Sequence, residues 1–298
     1  MKKSLFIALS LASVAALAGP VVDQATVEMV QPTGIGPAEI SYVLSGAPAV
    51  ITVDVQTNAG NGAWASIGDG NVRTLSGDVN RLVQPSASVR KIIWKAHRDW
   101  PDHLIAGPNT RAVIEVWPTN APPEMMVLDL EQGDVAFYRS EAAMPFAVTD
   151  DLCVSTKLVM RKVKAANVRW RMGTDSKIIP KNGEGKAGDA VTGYNETLHY
   201  VAFSEDYYLA IYPITQKQYG ILKAKNPDLP RQQYEVAGDV LPQAHLSYNQ
   251  CRGELPAINW PSTGHQVADG SVMGILRAYF GYGIEFDLPT EAQWEFAC

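Results

Sequence analysis

Between residues 24 and 130 the chain alternates between apolar and polar positions with the two-residue period of β-strands. Turn residues such as Asn61-Gly62 and Asp69-Gly70 separate the alternating runs, which recur about every ten residues. Regularly spaced short strands are typical of two packed antiparallel sheets, so residues 24–130 are predicted to form a β-sandwich with Trp94 and Trp117 in its core. The runs are AEISYVLS, AVITVDVQT, VRKIIWKA and RAVIEVWP.

The alternation stops at Glu131. Residues 131–156 gather acidic residues, small residues and a proline, a composition that predicts a linker. Strand-like patterns return in KLVMRKV and VRWRMGT, at the beginning of a second predicted domain over residues 157–298. A chain of 298 residues is long enough for two such domains.

The second domain contains four predicted helix starts, at Thr215, Ser247, Ser271 and Thr290. Three of them have a glutamine three residues later, which is the spacing of a capping box. The helix that begins after Ser271 is predicted to run to about Phe280, with Gly281 in the cap position. Short strands mixed with capped helices, without a strand-helix-strand repeat, predict an α+β fold rather than a doubly wound one.

The N-terminal residues have the pattern of a secretory signal peptide. Two lysines precede an apolar run from Leu5, and Ala16-Leu17-Ala18 places small residues where signal peptidase cleaves. We therefore predict a signal peptide over residues 1–18 and a secreted or periplasmic location. A membrane anchor is the weaker alternative, because the run is shorter than the roughly twenty residues that cross a bilayer. No transmembrane segment is predicted in the remaining sequence.

Charge and cysteine content narrow the possible functions. Without Lys2 and Lys3 the chain has 23 basic and 31 acidic residues, a formal net charge of about −8, and no block of lysine or arginine. Nucleic acid is therefore not an expected partner. The three cysteines, Cys153, Cys251 and Cys298, are far apart and odd in number, so at most one disulfide is expected and no metal cluster is indicated.

Other short motifs do not indicate chemistry in their sequence context. GEGKAG at 183–188 matches G-x-G-x-x-G, but it neither follows a clear strand nor precedes a helix, so a loop is predicted rather than a nucleotide site. HRDWPDH at 97–103 offers metal-ligating side chains, yet its turn composition favours a loop of the sandwich. Residues 195–197 have the form of a glycosylation sequon. The residues thus nominate no catalytic, cofactor-binding or metal-binding position.

Four segments of the second half resemble, in their order along the chain, the formylglycine-generating enzyme family, the sulfatase-modifying factors. They are WRMGT at 170–174, ETLHYVAFSEDYYLAIYPITQKQY at 196–219, LPQAHLSYNQCRG at 241–253 and FDLPTEAQWEFAC at 286–298. Three positions depart from the family pattern: Leu198 stands where proline is usual, Tyr248 where tryptophan is usual and Asp287 where arginine is usual. KLVMRKV resembles the lead-in strand of the same domain, so the resemblance covers about residues 155–298.

The resemblance implies a C-type-lectin-like α+β fold. Catalytic members of the family oxidise a sulfatase cysteine to formylglycine with molecular oxygen and with copper held by two thiolates, ligands that suit copper(I). In the family those cysteines and the calcium-binding loops follow the LPTE-type helix, so none of the three cysteines here matches the catalytic pair. Residues 157–298 are therefore expected to be the N-terminal part of an incomplete family domain, and copper and calcium belong to the complete one.

Two classes of function stay open. One is oxidation of a sulfatase cysteine by the intact protein, and the other is a non-catalytic lectin-like binding or structural module at the cell surface. The possible partners are a sulfatase, another secreted protein or a glycan. An iron-dependent sulfoxide synthase is less favoured, because such relatives carry a helical, histidine-bearing domain before this one. The predicted sandwich resembles immunoglobulin-like domains in architecture only, which implies no activity.

Overall fold

A computed structural model describes residues 19–298 except Thr33, Ala59, Asn61, Ala106, 174–197, 233–235, 255–265 and 282–283. The predicted signal peptide, the GEGKAG motif and the sequon lie outside the described residues. The chain divides between Pro122 and Pro123 into two compact units. The first domain was predicted to continue to Leu130, so the division falls eight residues earlier in the chain.

The first unit consists mainly of short antiparallel strands. Its elements are β1 (Val21–Val22), β2 (Glu28–Val30), β3 (Ala38–Tyr42), β4 (Leu44–Ser45), β5 (Ala49–Asn58), β6 (Trp64–Ser66), β7 (Leu75–Gly77), β8 (Arg81–Val83), β9 (Arg90–Trp94), α1 (Ala96–Asp99) and β10 (Thr110–Pro118). One sheet has the order β2-β3-β9-β7, and another has the order β10-β5-β6, with β8 also paired to β5. The four alternating runs of the sequence thus form strands, as predicted.

The core of the first unit joins these two sheets. Ile40 and Ile92 from one sheet and Ile51 from the other belong to the same buried cluster. Trp94 is fully buried in this cluster, as predicted. The prediction for Trp117 is wrong, because its register with Val50 places it on the opposite face of the sheet from Ile51. Trp117 is only partly buried, and its indole Nε1 donates to Thr52 Oγ1 at 2.9 Å.

The second unit combines a four-stranded antiparallel sheet with short helices. Its elements are β11 (Met125–Asp129), β12 (Val135–Tyr138), α2 (Leu152–Ser155), β13 (Lys157–Val163), β14 (Arg169–Met172), β15 (His199–Ala202), β16 (Tyr207–Ala210), α3 (Gln216–Lys225), α4 (Tyr248–Arg252), α5 (Val272–Phe280) and α6 (Glu291–Ala297). The sheet order is β12-β11-β13-β16, and β14 pairs with β15. The whole chain is therefore broadly α+β, in agreement with the predicted class.

The segment predicted as a linker forms part of the second unit. Residues 131–156 contain β12 and α2, and Cys153 of α2 packs in one buried cluster with Met125 and Val159. The alternating pattern is missing because the strand of this segment, β12, has buried apolar side chains on both faces, and because α2 is helical. A strand of this kind carries no two-residue signal, so composition alone suggested a linker.

All four predicted helix starts are present. Thr215, Ser247 and Thr290 each accept a hydrogen bond from the backbone N–H of the glutamine three residues later, and each glutamine side chain bonds back to the cap residue. Ser271 caps the helix Val272–Phe280, and Gly281 follows with a φ of 61°. Among the described residues, none of the helices combines the length and apolar character that a membrane crossing requires.

Candidate functional site

A cavity of about 490 Å³ lies within the second unit and is the candidate site. Cavities of this size are typical of binding sites for small molecules or short chain segments. Its wall is formed by two stretches of chain and three further side chains. The lining residues are 203–210, 284–289, Met126, Met160 and Gln293.

The first wall is β16 with the turn that precedes it. Met160 is in register with Ala210 on one side and with Met126 on the other, so these three residues share one face of the sheet. Tyr207 and Leu209 belong to the opposite face, yet both also line the cavity. Residues of both faces of β16 therefore line the cavity, which lies along this strand.

The second wall is the segment 284–289, which is held in place by a buried ion pair. Arg252 is fully buried, and its Nε and Nη2 donate to the two carboxylate oxygens of Asp287 at 2.6 and 2.9 Å. The backbone N–H of Leu288 donates to the same carboxylate at 2.8 Å. This bidentate geometry fixes Asp287, because a planar guanidinium and a carboxylate match in only one orientation.

Arg252 also holds α4 to this wall. Its Nη1 donates to the Tyr248 hydroxyl at 2.6 Å, and its Nη2 donates to the Gln266 carbonyl at 3.3 Å. Burial acts to lower the pKa of Arg252, but the hydrogen bonds to Asp287 and Tyr248 outweigh it and raise that pKa. The Arg252 guanidinium is therefore charged at neutral pH.

The cavity has a distinctly acidic lining. Its ionisable lining residues, apart from the tyrosines, are all carboxylic acids: Glu205, Asp206, Glu285 and Asp287. Asp287 is neutralised by Arg252, and Asp206 accepts hydrogen bonds from the backbone of Ala165 and Ala166 at 3.0 and 2.9 Å. Glu205 and Glu285 are exposed. The lining thus combines apolar methionine and phenylalanine side chains with an acidic rim.

Two tyrosines anchor the first wall through their hydroxyl groups. Tyr207 donates to the Gln293 carbonyl at 2.5 Å, and Tyr208 donates to the Pro123 carbonyl. Burial raises the pKa of both hydroxyls, with a further contribution from Asp206 at Tyr208. Both stay protonated at neutral pH, so they act as hydrogen-bond donors that position the wall and not as bases.

The cysteines are separate, unpaired thiols. Cys153 is buried, and its Sγ lies 3.5 Å from the Ala147 carbonyl. Cys251 is buried on α4, and Cys298 is exposed. Burial raises the pKa of Cys153 and Cys251, so both are protonated at neutral pH and are poor nucleophiles and poor metal ligands.

The residues of HRDWPDH have structural roles. Asp99 accepts hydrogen bonds from the backbone of Arg73 at 2.8 Å and Thr74 at 2.6 Å, and from the Trp94 indole at 3.0 Å. Its carboxylate therefore closes the loop around α1, as predicted for a sheet connection. His103 stacks on Trp100 with ring centroids 3.7 Å apart. Within the described part of the chain, no group of three or more His, Cys, Asp or Glu could hold a metal ion.

Sequence reasoning did not find the cavity. Its walls come from positions about eighty residues apart, which the sequence gives no reason to pair. One signal was available: Asp287 is an acid within the apolar sequence FDLP, and a carboxylate among apolar residues usually requires a basic partner. Comparison of the chain with protein-family models, with curated proteins and with solved structures yields no match.

Proposed function

We propose that the chain is an exported binding protein, with a β-sandwich followed by a C-type-lectin-like domain related to the formylglycine-generating enzymes. The cavity beside β16 is its binding site. The observation that carries this proposal is the cavity itself, which combines a fixed wall, apolar side chains and a small set of polar groups. The export signal at residues 1–18 supports a secreted or periplasmic location.

The relation to the formylglycine-generating enzymes is supported by where the motif residues lie. The segments that resemble the family coincide with the starts of α3, α4 and α6, and each start has a complete capping box. Two of the three departures from the family pattern, Tyr248 and Asp287, contact the same buried side chain, Arg252. The tyrosine supplies a hydroxyl acceptor and the aspartate supplies the opposite charge, so both residues stabilise the same buried guanidinium.

The β-sandwich assignment rests on the shared core of the two antiparallel sheets. Ile40 and Trp94 of one sheet pack in the same cluster as Ile51 and Ile114 of the other. A domain of this type presents loops at both ends and is common in extracellular proteins. The sandwich therefore supports an extracellular location for the binding domain, but its architecture implies no activity of its own.

Sulfatase oxidation is not assigned to these residues. The copper site of the catalytic relatives needs two neighbouring thiolates, whereas Cys153 and Cys251 are buried, protonated and unpaired. The described donor set therefore does not fit copper. A sulfatase remains a candidate partner for binding, as do another secreted protein and a glycan.

A two-part experiment tests the binding assignment. The full chain is first incubated with copper and a cysteine-containing sulfatase peptide, and mass spectrometry should detect no aldehyde. Thermal shifts are then recorded with a lysine-rich peptide, a glutamate-rich peptide and neutral oligosaccharides. At least one of these three classes of ligand should raise the melting temperature of the wild-type chain. It should not raise that of Ala210→Phe, in which the phenylalanine ring fills the cavity beside Met160.

The matched control is Ala121→Phe, which adds the same ring at an exposed turn residue of the first unit. It should respond to ligands as the wild type does. Aldehyde formation would replace the binding assignment with an enzymatic one. Ligand shifts that are missing in all three classes, or that are equal in Ala210→Phe, would show that the cavity is not a binding site.

A further inference from the structure

Among the strands of the described residues, β16 is the last in the order β12-β11-β13-β16 and therefore lies at an edge of that sheet. The pairing identifies which of its backbone groups point away from the sheet. Ile211 N–H donates to the Val159 carbonyl at 3.0 Å, and hydrogen-bonded residues alternate along an antiparallel strand. Tyr207 and Leu209 therefore direct their backbone groups toward β13, and Tyr208 and Ala210 direct theirs outward.

The other side of β13 confirms this alternation independently. Lys162 N–H donates to the Glu124 carbonyl at 2.8 Å, so the even-numbered residues of β13 bond to the β11 side. The odd-numbered residues, including Arg161 opposite Leu209, then bond to β16. The outward direction of Tyr208 and Ala210 thus follows from two separate hydrogen bonds.

The outward edge opens into the cavity. Tyr208 and Ala210 both line it, and among the described residues no hydrogen-bond partner is found for their outward N–H and C=O groups. An edge of this kind is a template for another strand. A cavity of about 490 Å³ along this strand has room for a short added segment, whose side chains would alternate between the two faces of the sheet.

The acidic residues that line the cavity determine which charge a bound peptide should carry. Lining residues include the exposed carboxylates Glu205 and Glu285, and the cavity lining contains no lysine, arginine or histidine among the described residues. A peptide with basic side chains would pair with these carboxylates, whereas an acidic peptide would be repelled. The methionine face around Met160 accepts apolar side chains of varied shape.

We propose that the cavity binds an extended basic peptide segment of a partner protein, which adds as a strand to the edge formed by Tyr208 and Ala210. The four residues of β16 give a contact of about 13 Å, enough for a segment of about four residues. This inference rests on the proposed function, because it uses the same cavity and names the class of ligand that enters it.

The test uses a fluorescein-labelled hexapeptide, Thr-Lys-Val-Lys-Val-Thr, and the same peptide with glutamate in place of lysine. Fluorescence polarisation with the full chain should show binding of the lysine peptide and at least about tenfold weaker binding of the glutamate peptide. Ala210→Pro removes one outward N–H without removing a bond to β13, so it should weaken binding at least about tenfold. Circular dichroism verifies that this variant is folded.

A second measurement does not depend on any variant. A fully N-methylated lysine peptide keeps its charge but cannot donate backbone hydrogen bonds, so it should not bind the wild-type chain. Glu205→Gln with Glu285→Gln should weaken binding of the lysine peptide and reduce its salt dependence. Glu28→Gln, an exposed carboxylate of the first unit, should leave the affinity unchanged.

Several outcomes would overturn strand addition. They are equal binding of both peptides, full binding of the N-methylated peptide, and loss of affinity in Glu28→Gln comparable to that in the double variant. Self-association of the chain that Ala210→Pro abolishes would instead assign the edge to a second copy. Failure of all peptides with a positive oligosaccharide shift would overturn this inference while leaving the binding assignment intact.

Discussion

Both units have apolar cores, and they differ in the polar side chains that they bury, which include a fully enclosed arginine only in the second unit among the described residues. The first unit closes around aromatic and aliphatic residues such as Trp94, Ile40 and Ile51, all with zero exposure. In the second unit the fully buried residues include Arg252, and the buried face of α3 contains two glutamines, Gln216 and Gln218. The comparison teaches that an aliphatic contact in a core tolerates small changes of shape, whereas a buried polar contact depends on its individual partner.

The buried glutamines illustrate this dependence. Gln218 completes the capping box of α3, and its Nε2 also donates to the carbonyls of Cys153 and Lys157 at 3.0 and 2.8 Å. Gln216 donates to the Val236 carbonyl at 2.9 Å. The two bonds of Gln218 therefore attach the helix to α2 and β13, and they supply donors to two backbone carbonyls of the interior.

The largest effect is expected from Arg252→Met. Removing the guanidinium breaks the bidentate pair and leaves Asp287 with the more distant Arg277 Nη2, 4.0 Å away, as counter-charge. Breaking a buried ion pair typically costs about 3–5 kcal/mol, and the contact with Arg277 places the expected loss toward the lower end of that range. Urea unfolding should show this loss of unfolding free energy in the transition of the second unit and not in that of the first. The double variant with Asp287→Leu should recover much of the loss, since replacing both partners removes the unpaired charge. A double variant as unstable as the single one would show that Arg252 acts through packing alone.

Gln218→Ala should have the next largest effect. It leaves the Cys153 and Lys157 carbonyls without a donor, and each unsatisfied buried group costs about 1–3 kcal/mol. Chemical denaturation should register this loss in the second unit. Gln132→Ala, at a turn residue in the same unit, is the control and should change stability by less than about 0.5 kcal/mol. Equal effects of the two variants would contradict the role given to the buried contacts.

Ile51→Val tests the tolerance of the first unit. Ile51 is fully buried on β5, and removal of one methylene from an aliphatic core typically costs about 0.5–1.5 kcal/mol. The loss of stability should appear in the unfolding transition of the first unit. It should be smaller than the loss caused by Arg252→Met or by Gln218→Ala. Ile35→Val, at a residue with 80% exposure, should be nearly neutral. A loss greater than that of Arg252→Met would reverse the comparison between the units.

The smallest effect at neutral pH is expected from Tyr138→Phe, which matters only in alkaline solution. Burial raises the pKa of Tyr138 to about 12, from its ordinary value of 10.0. A hydroxyl with a raised pKa in the folded state contributes stability that is present below pH 10 and is lost as the pH rises toward 12. The wild type should therefore lose more stability than the variant across this window in denaturation curves. Parallel curves for the two proteins would show that Tyr138 does not titrate differently on folding.

How far the sequence predicts the structure differs between the two units. In the first unit the alternation of β9 and β10 correctly predicts strands and a buried Trp94, because the buried residues of each strand lie on one face. It fails for Trp117, whose face is decided by the register with β5. In the second unit the capping boxes at Thr215, Ser247 and Thr290 are confirmed, because a cap is satisfied within four neighbouring residues.

The sequence by itself determined the local features of this chain: the strands with one apolar face, the helix starts and the broad α+β class. Only the tertiary structure decided that residues 131–156 belong to the second unit, that Arg252 meets Asp287, and that the edge of β16 faces segment 284–289 across a cavity. The physical reason is the separation along the chain of the residues that interact. Caps and alternation depend on neighbours in the chain, whereas ion pairs, edges and cavities depend on residues that only folding brings together.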